Sequence, residues 1–244
     1  MSTIIITGAS KGIGFQVAKL AAEKGYDLCI TYNKDVASAK KALRTLSKLT
    51  KKIVCLKVDL AKKKDIEKIF KSIKNFSRLE ILVNNAAVNV KRSPFENNNI
   101  KDVKKIFEVN YFGYYYCSQL AYKIFQKQDK KLNKSIVFIS SQAALFGGNL
   151  FTHYAPTKAA INTLTKGLSR EAIKHNIRVN SVSPGIIMTE GMLKVNKRNL
   201  NNISKSIPIK RIGHPKEVAD VILKISEKES KGLYGNIVPV SGGR

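Results

Sequence analysis

The sequence predicts an α/β fold with a single domain, built on a doubly wound parallel sheet of about seven strands with helices on both faces. Short apolar, β-branched segments alternate along the chain with segments of helical period, which is typical of parallel strands joined by helices. A glycine-rich turn directly follows the first apolar segment. The 244 residues contain no Pro/Ser-rich linker and no internal repeat, so we interpret residues 1–244 as one domain.

The individual elements are predicted from the same two periodicities. The expected strands are 3–7, 28–32, 53–58, 79–83, 135–140, 177–182 and 236–240. The expected helices are a segment around 18–22 and the segments 36–49, 66–73, 103–125, 157–174 and 216–225. Because ligands bind such sheets at the carboxyl ends of the strands, the residues that follow the strands are expected to line one crevice.

The glycine-rich turn predicts an anion-binding site. It reads Thr7-Gly8-Ala9-Ser10-Lys11-Gly12-Ile13-Gly14. Glycines allow a sharp turn and close approach of the backbone to a ligand, and the helix that follows offers free N–H groups to a pyrophosphate. The spacing G-x-x-x-G-x-G differs from the common dinucleotide fingerprint, and a tight connection without a ligand is the alternative.

A tyrosine and a lysine four residues apart give the clearest indication of chemistry. Tyr154 and Lys158 share one face if the helix already includes Tyr154, and Ser141 ends a predicted strand. A free phenol titrates near ~10, and a neighbouring cation lowers that pKa toward the range useful for proton transfer. The alternative is that Tyr154 and Lys158 are ordinary surface residues of an amphipathic helix.

Composition excludes some classes and leaves others open. The net charge is +27, from 44 Lys+Arg against 17 Asp+Glu, which by itself indicates nucleic-acid binding, but the lysines are dispersed and no nucleic-acid motif accompanies them. No apolar run approaches the ~20 residues that span a bilayer, and the first strand leaves no room for a signal peptide. Cys29, Cys55 and Cys117 are expected to be reduced core thiols, not a disulfide set or a metal site. We expect a cytoplasmic protein.

In combination these motifs resemble the short-chain dehydrogenase/reductase family over essentially the whole chain. The matching positions are 7–14, Asp59, Asn84-Asn85-Ala86, Asn110, Ser141, Tyr154, Lys158, Pro184-Gly185 and Thr189. The resemblance implies a Rossmann-like sheet and an NAD(P)-dependent oxidoreductase acting on CH–OH/C=O groups. A catalytically silent regulator is the rival within the family, but this chain keeps the complete set of four catalytic positions.

The resemblance assigns a role to each of those four positions. Tyr154 protonates the carbonyl oxygen as hydride arrives, and Ser141 hydrogen-bonds that oxygen. Lys158 lowers the pKa of the phenol and binds the nicotinamide ribose, while Asn110 holds the water that links Lys158 to solvent. Phe151, with Ser141 and Tyr154, is expected to contact the substrate.

The expected cofactor-binding residues mostly follow the strands. They are Gly8, Ser10, Lys11, Gly12, Ile13, Gly14, Asn33, Lys34, Asp59, Leu60, Asn84, Ala86, Tyr154, Lys158, Pro184, Gly185, Ile187 and Thr189. In the family's arrangement Asp59 accepts from the adenine amino group and Ile187 presents its backbone to the carboxamide. A helix cap is the alternative role for Asp59 and Thr189.

The expected cofactor is NADPH in preference to NADH. NAD-preferring members place an acid at the end of the second strand, where it accepts from the ribose 2′-OH. Here that end reads Ile30-Thr31-Tyr32-Asn33-Lys34, with no acid before Asp35. Lys11 and Lys34 supply cations suited to a 2′-phosphate.

Within the family the chain looks most like 3-oxoacyl-acyl-carrier-protein reductases. The likeness lies in the glycine turn and in the stretches 176–185 and 207–213, whereas Ala87 and Phe151 depart from the usual glycine and polar residue. The resemblance therefore implies NADPH-dependent reduction of a 3-oxoacyl-acyl-carrier-protein to its 3-hydroxyacyl form in fatty acid synthesis, with a small molecule or a thioester as substrate. A general carbonyl/alcohol reductase or acetoacetyl-CoA reductase is the alternative. A substrate lid is expected around 189–210.

The resemblance also predicts partners. We expect a homotetramer, or a dimer, paired through the helices 103–125 and 157–174. An acidic acyl carrier protein fits the basic charge. By analogy with the family we expect two basic groups to border the substrate entrance, Lys127, Lys130, Lys131 and Lys134, and Lys174, His175 and Arg178. The alternative is that these side chains only solvate a helix end and a loop. No nucleic acid, membrane or metal partner is expected.

Overall fold

A computed structural model of the protein describes residues 2–88, 91–190 and 197–244. The strands of the described part are β1 (Thr3–Ile6), β2 (Asp27–Tyr32), β3 (Ile53–Lys57), β4 (Leu79–Asn84), β5 (Ser135–Ile139), β6 (Arg178–Pro184) and β7 (Ile237–Val240). They form one parallel sheet in the order β3-β2-β1-β4-β5-β6-β7. The predicted α/β class and doubly wound parallel sheet are confirmed.

Helices join the strands. They are α1 (Gly12–Glu23), α2 (Val36–Leu46), α3 (Lys63–Ser72), α4 (Ile100–Phe107), α5 (Tyr114–Gln126), α6 (Ala143–Phe146), α7 (Ala155–Ala172), α8 (Lys197–Lys205) and α9 (Pro215–Ser226). Single turns of 3₁₀ helix lie at Phe95–Asn97, Ile173–His175 and Lys228–Ser230. No described helix has the length and apolar character needed to cross a membrane.

The two faces of the sheet carry separate apolar cores. Because side chains alternate along a strand, Ile4 and Ile6 face the core covered by α1 and α9, whereas Ile5 faces the core covered by α3, α5 and α7. The strands β1, β2, β4 and β5 are buried on both sides, which explains why they are mostly apolar in the sequence.

The strand order reverses at β1. β1 pairs with β2 on one side and with β4 on the other, so the segments that follow β1 and β4 diverge. This is the switch point at which open α/β sheets form their ligand crevice.

Most strand bounds agree with the predicted ones to within one or two residues. The helix predicted over 103–125 is interrupted, because Glu108–Gly113 forms a π turn between α4 and α5. Gly113 belongs to this turn, and a Cβ there would lie 2.8 Å from Leu60 Cβ. Tyr154 is the N-cap of α7 and precedes its first residue, Ala155. The sequence also did not predict α6 and α8.

Arg178 fixes the start of β6. Its buried guanidinium donates to the carbonyls of Ser226 at 2.6 Å and Glu227 at 2.9 Å, at the end of α9, and to Asn133 Oδ1 at 2.9 Å. A cation at a helix C-terminus is favoured by the helix dipole, and these hydrogen bonds satisfy carbonyls that the helix leaves open. The contact joins β6 to α9 at the amino-terminal edge of the sheet.

The basic groups expected at the substrate entrance lie at that same edge. They precede β5 and β6, whereas Ser141 follows β5, so parallel strands place them at the edge of the sheet opposite Ser141. Lys134 and Arg178 are buried, and the Lys134 ammonium donates to the Asp129 carbonyl at 3.0 Å. The expectation that these cations border the entrance of their own chain is wrong.

Candidate active site

The crevice at the switch point is braced by Asn85. Its side-chain amide donates to the carbonyls of Thr7 and Gly8, each at 2.9 Å. Its backbone N–H donates to Thr7 Oγ1 at 2.9 Å. The end of β1 is therefore fixed to the end of β4, and the glycine turn starts from a defined position.

The glycine turn has the shape of a cradle for an anion. A Cβ on Gly14 would lie 2.5 Å from both Asn85 Nδ2 and Gly8 O, and Gly8 and Gly12 have positive φ angles of 66° and 58°. Lys11 caps α1 without a side-chain hydrogen bond to the helix, and the first turn of α1 carries no acid. The N–H groups of this turn thus remain available to a pyrophosphate, and these residues fit a dinucleotide.

Beside this cradle, Lys11 is held between two carboxylates. Its ammonium lies 2.8 Å from Asp35 Oδ2 and 3.4 Å from Glu190 Oε2. Asp35 also caps α2 by accepting from the Ser38 backbone at 3.0 Å. The Lys11 hydrogen bond holds the pKa of Asp35 well below its usual range. Asp35 is therefore already engaged, as an N-cap and as an ion-pair partner.

The structure places the other predicted cofactor residues around the same edge. Ser10 and Ile13 belong to the turn, and the exposed Asn33 and Lys34 follow β2. Thr189 lies opposite the turn, since a Cβ on Gly12 would be 3.7 Å from Thr189 Cγ2.

Two further segments close the edge near Thr189. Pro184 ends β6, and the Gly185 N–H donates to the Val240 carbonyl at 3.0 Å. Ile187 forms a bridge with Gly213. The ends of β6 and β7 are thereby joined beneath the crevice.

Three of the predicted residues have side chains that the surrounding fold already engages. Asn84 is fully buried and donates to Ser118 Oγ at 3.1 Å, so it can offer a ligand only its main chain. Leu60 is buried against the π turn. Asp59 Oδ1 accepts from the Ala61 N–H at 3.1 Å, which stabilises a turn and is not a helix cap, since Lys62 is the N-cap of α3.

Tyr154 and Ser141 meet where β5 ends and α7 begins. A side-chain hydrogen bond joins them, and Ser141 Oγ also accepts from the Ala143 N–H at 3.1 Å. Burial raises the pKa of Tyr154 to about 12, and the hydrogen bond with Ser141 opposes that rise. The phenol is therefore protonated at neutral pH, which is the form that can donate a proton.

Lys158 is buried one turn into α7. Its ammonium donates to the Ile139 carbonyl at 2.7 Å and lies 5.8 Å from the centroid of the Tyr154 ring. The centroid of the Tyr114 ring is 5.0 Å away. Burial lowers the pKa of Lys158 to about 7, and no carboxylate in the described part of the chain forms an ion pair with it.

The expected depression of the phenol pKa by Lys158 is therefore absent from the structure. Burial disfavours the charged form of both groups, raising the pKa of an acid and lowering that of an amine. At neutral pH the Lys158 ammonium is about half deprotonated, since its pKa is about 7. A half-neutral amine cannot offset the desolvation of the phenol.

Asn110 lies in the π turn and connects two parts of the site. Its Oδ1 accepts from the Val88 N–H at 3.0 Å, and its Nδ2 donates to Thr157 Oγ1 at 3.3 Å. Thr157 Oγ1 in turn donates to the Tyr154 carbonyl at 2.7 Å. The widened turn therefore points an amide toward the N-terminus of α7, and such turns are common at functional sites.

Phe151 lies against the catalytic tyrosine. The two ring centroids are 5.7 Å apart, and the Tyr154 N–H donates to the Phe151 carbonyl at 2.9 Å. His153 is buried beside Phe151, with ring centroids 6.3 Å apart, and its Nδ1 has no hydrogen-bond partner within the described residues. Within the same residues no group of three His, Cys, Asp or Glu side chains could hold a metal ion.

Sequence reasoning did not assign roles to three residues that hold the site together. Asn85 braces the crevice, Thr157 links Asn110 to Tyr154, and Tyr114 faces the Lys158 ammonium. The role of Asn85 could have been inferred from the sequence, because Asn85 lies within the Asn84-Asn85-Ala86 motif. Tyr114 and Thr157 resemble ordinary core residues of their helices, and only the folded arrangement distinguishes them.

Comparisons with known proteins give matches over almost the whole chain. A family model described as "Enoyl-(Acyl carrier protein) reductase" matches residues 8–244. The L-rhamnose 1-dehydrogenase (NAD(P)(+)) of Sphingomonas sp. (strain SKA58) is 32% identical, with 99% of this chain and 95% of that protein covered. The 3-oxoacyl-[acyl-carrier-protein] reductase FabG of Chlamydia trachomatis is 30% identical, with 99% of this chain and 96% of that protein covered.

Solved structures agree as well. The structure of ElxO with NADP bound superposes with a TM-score of 0.89 at 30% identity, covering 99% of this chain and 98% of that one. The family match, the parallel sheet and the grouping of Ser141, Tyr154 and Lys158 lead to one conclusion. The chain belongs to the short-chain dehydrogenase/reductase family, a family of NAD(P)-dependent oxidoreductases that act on CH–OH/C=O groups.

Proposed function

We propose that the protein is an NADPH-dependent reductase that converts the 3-oxoacyl thioester of an acyl carrier protein into the 3-hydroxyacyl thioester, in fatty acid synthesis. The observation that carries the reductase chemistry is the junction of β5 and α7. There a protonated phenol, a serine hydroxyl and a buried amine lie together at the carboxyl edge of the sheet, beside the glycine cradle.

The proposed chemistry adds a hydride to the carbonyl carbon and a proton to its oxygen. The reduced nicotinamide supplies the hydride when it is bound. Tyr154 gives its phenolic proton to the oxygen, and Ser141 donates a hydrogen bond to the same oxygen. Lys158 would hold the nicotinamide ribose, and its N–H groups would stabilise the phenolate left on Tyr154. Asn110 holds the water through which the proton is replaced.

The cofactor preference is supported by the surroundings of the expected ribose position. β2 ends without an acid, and Asp35 is committed to capping α2 and to pairing with Lys11. A 2′-phosphate brings a dianion that competes for Lys11, with Lys34 exposed nearby. The NADP bound to the ElxO relative supports the same choice.

The carrier-linked substrate is supported by the FabG relative and by the charge of the chain. A net charge of +27 attracts an acidic carrier protein and speeds its encounter with the reductase. A second candidate is a sugar or simple carbonyl oxidoreductase, which the rhamnose dehydrogenase relative favours at 32% identity. The two candidates share the catalytic residues and differ in what surrounds them.

The lid and the assembly are further parts of the proposal. Residues 189, 190 and 197–210 of the expected lid are described, including the polar helix α8, whereas 191–196 lie outside the described residues. A homotetramer, with a dimer as the alternative, is supported by a cavity of about 400 Å³ open on α5 and α7, lined in part by Tyr115, Tyr122, Leu164 and Leu168.

The first prediction concerns the proton donor. Tyr154→Phe should lower kcat by at least about 100-fold, because general acid catalysis contributes on that order, while NADPH affinity changes little. Initial rates and a fluorescence titration with NADPH measure the two effects. Tyr26→Phe is the matched control, since Tyr26 precedes β2 at the opposite edge of the sheet, and it should retain activity. Near-normal turnover in Tyr154→Phe would show that the assigned mechanism is wrong.

The second prediction concerns the cofactor. The wild type should have a higher kcat/KM with NADPH than with NADH. Lys11→Gln should reduce that ratio by about tenfold, since one charge-assisted contact to the 2′-phosphate is lost. Lys19→Gln, on the exposed side of α1, should leave the ratio unchanged. A wild-type preference for NADH contradicts the proposal and makes Asp35 or Asn33 the ribose partner.

The third prediction tests the substrate. kcat/KM for an acetoacetyl thioester of acyl carrier protein should fall steeply as salt is raised from about 0.05 to 0.5 M, because screening shortens to a few ångströms. The rate with diacetyl, an uncharged diketone, should change little. L-Rhamnose oxidation is the competing assay. Equal salt sensitivity, or a higher kcat/KM for the sugar, would overturn the carrier-linked proposal.

A further inference from the structure

Arg92 is placed over the ring of Phe151. Its guanidinium carbon lies 4.9 Å from the ring centroid, within the range of a cation–π contact. Two hydrogen bonds hold the surrounding loops together: the Ser93 N–H donates to the Leu150 carbonyl at 3.1 Å, and Asn98 Nδ2 donates to Thr152 Oγ1 at 3.2 Å. The segment that carries Arg92 is therefore attached to the residues on either side of Phe151 by one backbone and one side-chain hydrogen bond.

The same ring touches the catalytic tyrosine. Phe151 is 5.7 Å from Tyr154, centroid to centroid. A single aromatic ring thus lies between the positive charge of Arg92 and the Tyr154 ring. A group carried by a substrate at Tyr154 can therefore come within reach of Arg92.

The charge of Arg92 is not neutralised within the described part of the chain. Two other cations near the crevice and its lower edge have acidic partners: Lys11 pairs with Asp35, and Arg211 donates to both carboxylate oxygens of Glu217. No described carboxylate lies within ion-pair distance of Arg92, and its side chain is exposed. A guanidinium stacked on a ring keeps its N–H edges free for a planar anion or a phosphate.

The surroundings of this charge are apolar. Phe95, Leu145 and Phe146 are 78%, 61% and 69% exposed, which is high for side chains of this size. Phe95 lies in the segment that the Ser93–Leu150 hydrogen bond ties to the loop before Phe151. The helix α6, which carries Leu145 and Phe146, lies near Phe151, since a Cβ on Gly148 would be 3.4 Å from both Ala143 and Phe151. An apolar border with one unpaired guanidinium complements a ligand that combines an uncharged, flexible chain with a single anionic group.

We propose that Arg92, supported by Phe151, binds the phosphate of a phosphopantetheine-type arm that carries the thioester to Tyr154. The inference rests on the proposed function and specifies its substrate class as thioesters on a phosphate-bearing arm. A neutral sugar or a small diketone has no group for this site. Arg92 is then the residue that selects among the substrates on which members of the family act.

Two substrates that differ only in the phosphate test this role. They are S-acetoacetyl-4′-phosphopantetheine and S-acetoacetyl-pantetheine. In the wild type the phosphate should lower KM by about tenfold, the effect of one charge-assisted contact. Arg92→Gln should bring the ratio of the two KM values close to one. Arg92→Lys should retain part of it, since the charge remains and the planar stacking is lost.

Lys91→Gln is the matched control, because it removes the same charge one residue away from the stacked position, and it should keep the full ratio. An unchanged ratio in Arg92→Gln, or an equal loss in Lys91→Gln, would overturn the proposal. Calorimetric binding of 4′-phosphopantetheine and pantetheine measures the same discrimination without turnover. If neither thioester is reduced, the proposed substrate is wrong. The phosphate site is then still tested by calorimetry, in which Arg92→Gln should bind 4′-phosphopantetheine and pantetheine equally well.

Discussion

The site depends on burying the Lys158 ammonium without a carboxylate. Removing a cation from water is costly unless other groups replace its hydration, and here the replacements are one backbone carbonyl and the faces of two tyrosine rings. The Ile139 carbonyl is available because β5 ends there, and Tyr114 is fixed by stacking on Phe138 with centroids 6.1 Å apart. The result is an amine whose pKa lies near neutrality, next to a phenol that burial keeps protonated.

Each element around this amine is fixed by a local constraint. The π turn directs Asn110 at Thr157, and Thr157 holds the carbonyl of Tyr154 at the N-terminus of α7. On the other side of the crevice, Asn85 fixes the glycine turn to β4. The proton-donating group and the anion cradle are therefore positioned by separate hydrogen-bond networks attached to one rigid sheet. Substitutions in one network should affect one function more than the other.

The sequence was sufficient for the sheet and for the catalytic grouping, because both follow from periodicity and fixed spacing. A one-turn separation puts Tyr154 and Lys158 together, and strands with two buried faces are apolar throughout. The partners of charged side chains could not be predicted from the sequence. Lys11 forms an ion pair with Asp35, 24 residues away, and the Arg178 guanidinium is buried against the C-terminus of α9. The sequence also predicted the wrong direction for the pKa shift of Tyr154. The spacing of residues identifies the nearest cation, Lys158, whereas the desolvation of the phenol depends on all the side chains packed around it.

The most direct test of the buried amine is the pH dependence of stability in the wild type and in Lys158→Met, which keeps a long unbranched side chain. Between pH 7 and 10.5 the unfolded wild type binds the lysine proton, whereas the folded protein has largely released it. The free energy of unfolding of the wild type should therefore rise with pH relative to the variant across that window. Guanidinium unfolding at several pH values measures the difference. A difference that stays constant from about pH 7 to 10 would contradict the account, because it would mean that Lys158 keeps an ordinary pKa in the folded protein.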